Sequence, residues 1–473
     1  MIHRPELSRR RFLGASALGV LSLSACGGRP SAPQVQVTVP QAILDEAAPF
    51  RGSTVRMLSQ QMYSDLANEA LDHSLQTFAE ATGTTVENNL MQADTGDVVA
   101  KLDAEIASGN ARDLAFFTDD RFLAQFHNLG LVNEMTDVVE SLTTTLGQPV
   151  SESQNFCVYD GKWYGVPYHF VGLGDFVRKD WLQEKGIPVK DTYTYEEMRD
   201  ICLEISDPAK RRFGWGVTIN RSGDGNSFLE GVVNSWGGAI TAEDGRTVTF
   251  NSPETVDAVA FVEDIFKNPK YQPMRPPGIE SWTDSSNNEN WLAGIIGYVR
   301  NQFSVYADSK TTENPVYAGT HAFAGCTGPA TDRPVRYGQS QALINFRGSQ
   351  NPGLAKVLSK YLVSGTPLLN IAKAAPGLAM PAWEQVWDSD PFYTQGDPAF
   401  SMLRDMAQQP LPIPTTTGLG FPGRPSSGRQ AVLQSYVLTD MMQTVLQGTT
   451  PQAAVASAHE RITQIFEQQG LRQ

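Results

Sequence analysis

From residue 54 onward, short apolar runs alternate with amphipathic helical stripes, and this order constrains the fold more than any other feature. Residues 54–59 read as a strand. Ala67, Ala70, Leu71, Leu75 and Phe78 then recur at helical spacing up to Gly83, and residues 84–86 begin the next strand. Val98, Leu102 and Ile106 form a second stripe that closes at Gly109 and leads into the apolar run 114–117. Parallel strands need a crossover long enough to hold a helix, so the N-terminal region is committed to a mostly parallel sheet covered by helices.

Further along, Thr194-Tyr195-Glu196-Glu197 forms a capping box, and Ser252-Pro253-Glu254 opens a helix whose face of Val256, Val259, Val262 and Phe266 must pack inward. Residues 341–346 read as a strand. A helix carrying Leu354, Val357, Leu358, Tyr361 and Leu362 follows, and helices over 431–446 and 453–468 close the chain. With 473 residues and 41% hydrophobic content, the chain is too long for one ordinary core, and two packed lobes are expected.

Ser8-Arg9-Arg10-Arg11-Phe12-Leu13 places paired arginines before the apolar run 13–25, the pattern of a twin-arginine export signal. That run is too short to span a bilayer. It ends in Leu23-Ser24-Ala25-Cys26, which resembles a bacterial lipobox; Cys26 is then the expected site of lipidation and the first mature residue. A cleaved soluble precursor is the alternative. Gly27, Gly28, Pro30, Pro33 and Pro40 suit a tether over residues 26–50. The formal net charge of −14 argues against nucleic acid, and loss of residues 1–25 makes the remaining chain more acidic still.

Cys157, Cys202 and Cys326 have no CxxC spacing; Cys202 shares a helical face with Met198, Ile201 and Ile205, which suits a small buried hydrophobe. No GxSxG, HExxH, CxxC or P-loop occurs, and histidines 73, 127, 169, 321 and 459 show no metal-ligand spacing. Gly418-Leu419-Gly420-Phe421-Pro422-Gly423 satisfies GxGxxG only as a string, within a Pro-rich stretch. No cofactor or metal is expected, and a binding protein is favoured over an enzyme, although two carboxylates for glycoside hydrolysis could come from anywhere in the chain.

Several phrases together carry a family resemblance. Ile106-Ala107-Ser108-Gly109 to Arg112-Asp113-Leu114, Asp160-Gly161-Lys162-Trp163-Tyr164-Gly165-Val166-Pro167, Lys179-Asp180-Trp181-Leu182, Asn251-Ser252-Pro253-Glu254 and Trp291-Leu292-Ala293-Gly294-Ile295-Ile296-Gly297 are similar, in order, to the extracellular solute-binding proteins of ATP-driven importers. The branch they resemble is the sugar-binding one that includes the maltose-binding protein. The resemblance implies an α/β, two-lobe periplasmic-binding-protein type II fold with a ligand cleft between the lobes. Lobe 1 would be 51–167 plus 326–374 and lobe 2 would be 168–325 plus 375–473, with hinges near Pro167, Gly325 and Ala374. It also implies an exported monomer, lipid-anchored to the outer face of the cell membrane or in the periplasm, that delivers a carbohydrate to ABC permease subunits. The alternatives are a non-sugar solute such as a glycerophosphodiester, a peptide or a polyamine, and an exported carbohydrate-active enzyme.

Candidate ligand residues follow from strand ends and from this order. Asp120 and Arg121 sit beyond the apolar run 114–117, where they either hold sugar hydroxyls or cap and pair locally. Gln60 and Gln61 end the first strand as ligand amides or solvated glutamines. Tyr168 and His169 follow the hinge-like Gly165-Val166-Pro167, the former as a cleft-floor or core ring and the latter more readily as a structural hydrogen-bonder. Trp236 and Trp282 either stack on a sugar or pack against their own surroundings. Asn226 precedes the helix of Phe228; Asn301 and Phe303 stand where the family has Gly-Pro-Trp; Arg424 is either a late donor or a surface arginine.

Overall fold

The computed structural model describes residues 37–91, 98–118, 121–331, 334–335, 338–394, 396–407 and 426–471. The export signal, Cys26, Asp120 and Arg424 lie outside these. The first part of the chain holds α1 (Gln41–Ala47), β1 (Thr54–Gln60), α2 (Asp65–Thr82), β2 (Thr85–Met91), β3 (Leu114–Phe116), α3 (Arg121–Asn128) and the long β4 (Val166–Arg178). There follow α4 (Tyr195–Glu204), β5 (Phe213–Trp215), α5 (Gly223–Ser235), α6 (Pro253–Lys267), α7 (Ser286–Leu292), β6 (Ile296–Gln302), α8 (Ser304–Thr311) and β7 (Thr320–Phe323). The last part supplies β8 (Gly338–Asn345), β9 (Met380–Pro381), α9 (Pro398–Ala407), α10 (Ser427–Gln434), α11 (Val437–Leu446) and α12 (Pro451–Gln468).

Local signals set many of these boundaries. Gly83 ends α2 at φ +68°, in the left-handed region where a side chain would be strained. The Thr194 hydroxyl accepts from the Glu197 amide at 3.0 Å and the Ser252 hydroxyl from the Thr255 amide at 3.2 Å, so both hydroxyl caps form, while the Glu197 carboxylate of the expected capping box accepts from Lys190. The tether is shorter than expected, because Val37, Ile43 and Ala47 are buried and α1 joins the fold. The helix read over 431–446 is two helices, since Tyr436 turns left-handed at φ +53° and separates α10 from α11. Cys157, Cys202 and Cys326 are buried thiols, with Cys202 inside α4 as its apolar face requires.

The main sheet runs β2-β1-β3-β8-β4-β6-β5. Strands β1, β2 and β3 pair in parallel, as the crossover helices dictate, and so do β5 and β6; β8, β4 and β6 pair antiparallel. Every one of the 13 residues of β4 is buried, because the strand serves two half-sheets. Residues 166–172 pair with β8, with β9 alongside residues 169–170, whereas residues 173–177 pair with β6 and 175–178 with β7. The change of partner falls between Gly172 and Leu173.

Two glycines let other elements close over that point. A Cβ on Gly172 would stand 2.3 Å from the Leu403 side chain of α9, and one on Gly174 would stand 3.0 Å from the Phe303 ring. Beyond it, Asp175 of β4 faces Arg300 of β6 in register, with carboxylate and guanidinium 3.3 Å apart and both buried. Tyr298 and the Cys326 amide also donate to that carboxylate, each at 3.1 Å, so the buried charge is well supplied with partners.

Candidate ligand site

In the first half-sheet, the ends of β1 and β8 hold the backbone that leads into α3. Gln60 is buried, and its Oε1 accepts from the Thr118 amide at 2.9 Å; Gln341 Nε2 donates to the Thr118 carbonyl at 2.6 Å. The amide and the carbonyl of Thr118 are thus both pinned just before residues 119 and 120, and Gln60 is used for positioning. Gln61 is half-buried, and its backbone amide continues the ladder to Met91. Arg121 opens α3.

The register between β8 and β4 slips beside Gln341, which leaves Tyr168 as an extra residue between Pro167 and His169. Such a bulge turns two successive side chains to one face. The Tyr168 and His169 rings accordingly stack with centroids 3.9 Å apart, and both meet Phe116 edge-on. Both are fully buried, and neither the Tyr168 hydroxyl nor either His169 nitrogen has a hydrogen-bond partner among the described residues. Burial pushes the His169 imidazole down to about 3, with the neighbouring Gln341 opposing, so the ring is neutral at physiological pH.

The second half contributes the N-terminus of α5. Ser222 caps it by accepting from the Gly225 amide at 2.9 Å, and the Asp284 carboxylate accepts from the Gly223 and Asp224 amides at 3.1 and 2.9 Å. Asp224 accepts from Asn287 at 2.7 Å; burial, and then the Asp284 charge, hold its carboxyl well above the usual carboxylate range. Next to it, Asn301 donates to Asn288, which also accepts from Ser304 at 3.3 Å. Tyr63, from the loop after β1 in the other half, is 48% exposed, and its phenol lies beside Asn288 and Asp308.

The seam between the halves is closed by α10, whose place there no sequence signal marked. One face of it is fixed to the second half: buried Arg429 pairs with buried Glu230 of α5, Asn226 Nδ2 donates to the Leu433 carbonyl at 2.8 Å, and Gly428 lies against Phe466 of α12. Another face meets α3, where Gln125 Nε2 donates to Gln434 Oε1 at 2.9 Å. Helix α3 belongs to the first half, packing Phe126 edge-on against Phe346 at 5.2 Å. On this seam Asn226 Oδ1 and both amide atoms of Gln430 are buried without partners among the described residues.

Three aromatic candidates are placed elsewhere. Phe303 is fully buried between Phe176, Tyr306 and Gly377, with no ring face left for a ligand. Trp236, at the far end of α5, packs on Phe261 and Tyr195 with centroids 4.7 and 5.8 Å away. At helical rise it lies about 15 Å along the axis from Asn226, too far for one small ligand to touch both. Trp282 is buried, and its carbonyl accepts from Asn220 at 3.1 Å.

This fold, two half-sheets joined through one strand, has counterparts among known proteins. Residues 74–400 match the family model described as bacterial extracellular solute-binding protein. The chain belongs to this family. It is an extracellular solute-binding protein, and its fold is the two-lobe periplasmic-binding fold. Among solved structures, maltose-bound MalE3 of T. maritima superposes with a TM-score of 0.72 at 20% identity, covering 87% of this chain and 99% of that one. A solute-binding protein of Agrobacterium radiobacter K84 in complex with ribitol gives 0.71 at 19% identity over 88% and 99%.

A curated relative, the erythritol/L-threitol-binding protein of Mycolicibacterium smegmatis, is 26% identical over 256 residues, 47% of this chain and 49% of that protein. This solute-binding protein thus spans about half the length of the curated relative it matches. Among its described residues no helix is long and apolar enough to cross a membrane, and no cluster of three or more His, Cys, Asp or Glu could hold a metal.

Proposed function

We propose that this solute-binding protein captures a small, neutral, polyhydroxylated solute, a carbohydrate or polyol, between its halves and hands it to a membrane permease. The observation that carries this reading is the pair of buried, uncharged amides with unpartnered atoms at the seam, Asn226 and Gln430. A buried polar atom left unsatisfied costs about 1–3 kcal/mol, so such atoms mark places where a ligand can supply bonds. Amides both donate and accept, as hydroxyls do. The ribitol, maltose and erythritol named for the relatives are ligands of this chemistry.

In this reading the halves are the lobes and the first crossing lies at Gly172–Leu173 rather than at Pro167, since β4 changes partner there. Closure brings α3 to α10, and ligand contacts from both sides favour the closed form. Asp120, Arg121, Gln61, Asn301 and Arg424 are the remaining ligand candidates. Cys26 carries the lipid anchor that keeps the protein at the outer face of the membrane.

The test is a thermal-shift screen of residues 27–473 against mono-, di- and oligosaccharides, polyols, glycerophosphodiesters, polyamines and peptides, with product analysis of any hit. A ligand at 100 times its dissociation constant adds about 2.7 kcal/mol of stability, a clear shift in melting temperature. A polyol or sugar that stabilises the protein and is recovered unchanged supports the proposal. Turnover, or a response only to charged solutes, rejects it.

A further inference from the structure

Helix α10 presents two glutamines to the other half, one turn apart on the same face. Gln434 is matched by Gln125 of α3. Gln430 is 1% exposed and has neither donor nor acceptor for its amide among the described residues. Asn226 is 3% exposed, spends its Nδ2 on the Leu433 carbonyl, and keeps Oδ1 unmatched. Leu433 follows Gln430 by three residues, so Asn226 and Gln430 border the same stretch of the seam.

The notch they form is electrically neutral. Among the described residues of its supporting elements, Arg429 pairs with Glu230, and Asp224, whose carboxyl burial and the Asp284 charge push toward the neutral form, accepts from Asn287. The support is also rigid, since a Cβ on Gly428 would stand 2.9 Å from the Phe466 ring, which leaves α10 no room to shift toward α12.

We propose that Gln430 is the residue by which this protein selects its ligand, its amide taking two adjacent hydroxyls of one molecule while Asn226 Oδ1 accepts from another. A carboxamide offers a donor and an acceptor side by side, and so does a vicinal diol, with one hydroxyl accepting from Nε2 and its neighbour donating to Oε1. The same two-point match lets Asn and Gln read the edge of adenine. The ligand class is therefore a neutral compound with contiguous hydroxyls, and a compound with isolated hydroxyls would leave part of the notch unmatched. The inference rests on the proposed binding of a polyhydroxylated solute.

Calorimetric titration of residues 27–473 with erythritol, ribitol and maltose, and with 1,4-butanediol and 1,5-pentanediol as controls without adjacent hydroxyls, tests it. The wild type is expected to bind at least one of the first three and neither control. Gln430→Leu, of similar size, should weaken the tightest of them about tenfold or more. Gln430→Glu, which keeps the acceptors and loses the donor, should fall between, and the ligand-free melting temperature of both variants should stay within a few degrees of wild type. Binding by Gln430→Leu within twofold of wild type overturns the proposal. So does wild-type binding of the isolated diols, or a collapse of the ligand-free melting temperature in both variants, which would make Gln430 a structural residue. If none of the three polyhydroxylated probes binds the wild type, the reading on which the inference rests fails, and the inference with it.

Discussion

The two ends of α5 differ in kind. At its N-terminus, Asp224 and Asn226 meet Asp284, Asn287 and the Leu433 carbonyl, and an amide oxygen is left unmatched. At its C-terminus, Trp236 closes a ring cluster with Tyr195 and Phe261. One helix thus carries an unmatched polar group at the end that reaches the seam and ring packing at the other. Between them Glu230 binds the helix to α10 through Arg429. Residue type alone is a poor guide to which end does what: an aromatic ring is the more obvious sugar contact, yet here the ring is structural and the small amide faces the seam.

Breaking the link between the ends should have the largest effect. Glu230→Ala removes the buried carboxylate that pairs with Arg429, which should lower stability in urea unfolding by about 3–5 kcal/mol. Affinity should fall too, because α10 is no longer held on α5. The comparison sharpens if the two ends are cut separately. Trp236→Ala should cost about 2 kcal/mol of stability, less than a fully buried tryptophan, and leave calorimetric affinity within twofold. Asn226→Ala should do the reverse, weakening ligand about tenfold with no more than about 1 kcal/mol lost from the fold.

The smallest effect is a pH dependence. Asp224 has its folded pKa raised by burial and by Asp284, so the folded state binds the extra proton. The stability this contributes is present at low pH and is lost as pH rises through the folded value. Asp224→Asn keeps a neutral group throughout. Its melting temperature should therefore gain on wild type between pH 4 and 7, and a gap that shrinks over that range would show that the carboxyl is not held protonated.

What the sequence made legible was what neighbours in the chain decide. The caps at Thr194 and Ser252 and the left-handed stop at Gly83 each involve residues within a few positions. Apolar periodicity likewise announced the crossover helices of the parallel strands. The full length of β4, its bulge at Tyr168 and its change of partner at Gly172 depend on strands more than a hundred residues away, and no local pattern encodes them. The same holds for the site. Asn226 and Asn301 were found by position relative to a helix start and a strand end, and both lie in buried polar sets. Gln125, Gln430 and Gln434 were missed because glutamine on a helix reads as solvated surface, and the Gln125–Gln434 bond spans 309 residues. The break at Tyr436, which aims α10, was invisible because apolar spacing runs straight across it.

The most direct test of the account is a crystal structure of the protein with a polyol or sugar found by the screen. The account predicts one ligand enclosed between α3, α5 and α10, with hydroxyls in hydrogen-bonding reach of Gln430 and Asn226 and the Gln125–Gln434 bond intact. A ligand bound away from that seam, or a stabilising polyol that leaves both amides unengaged, would contradict it.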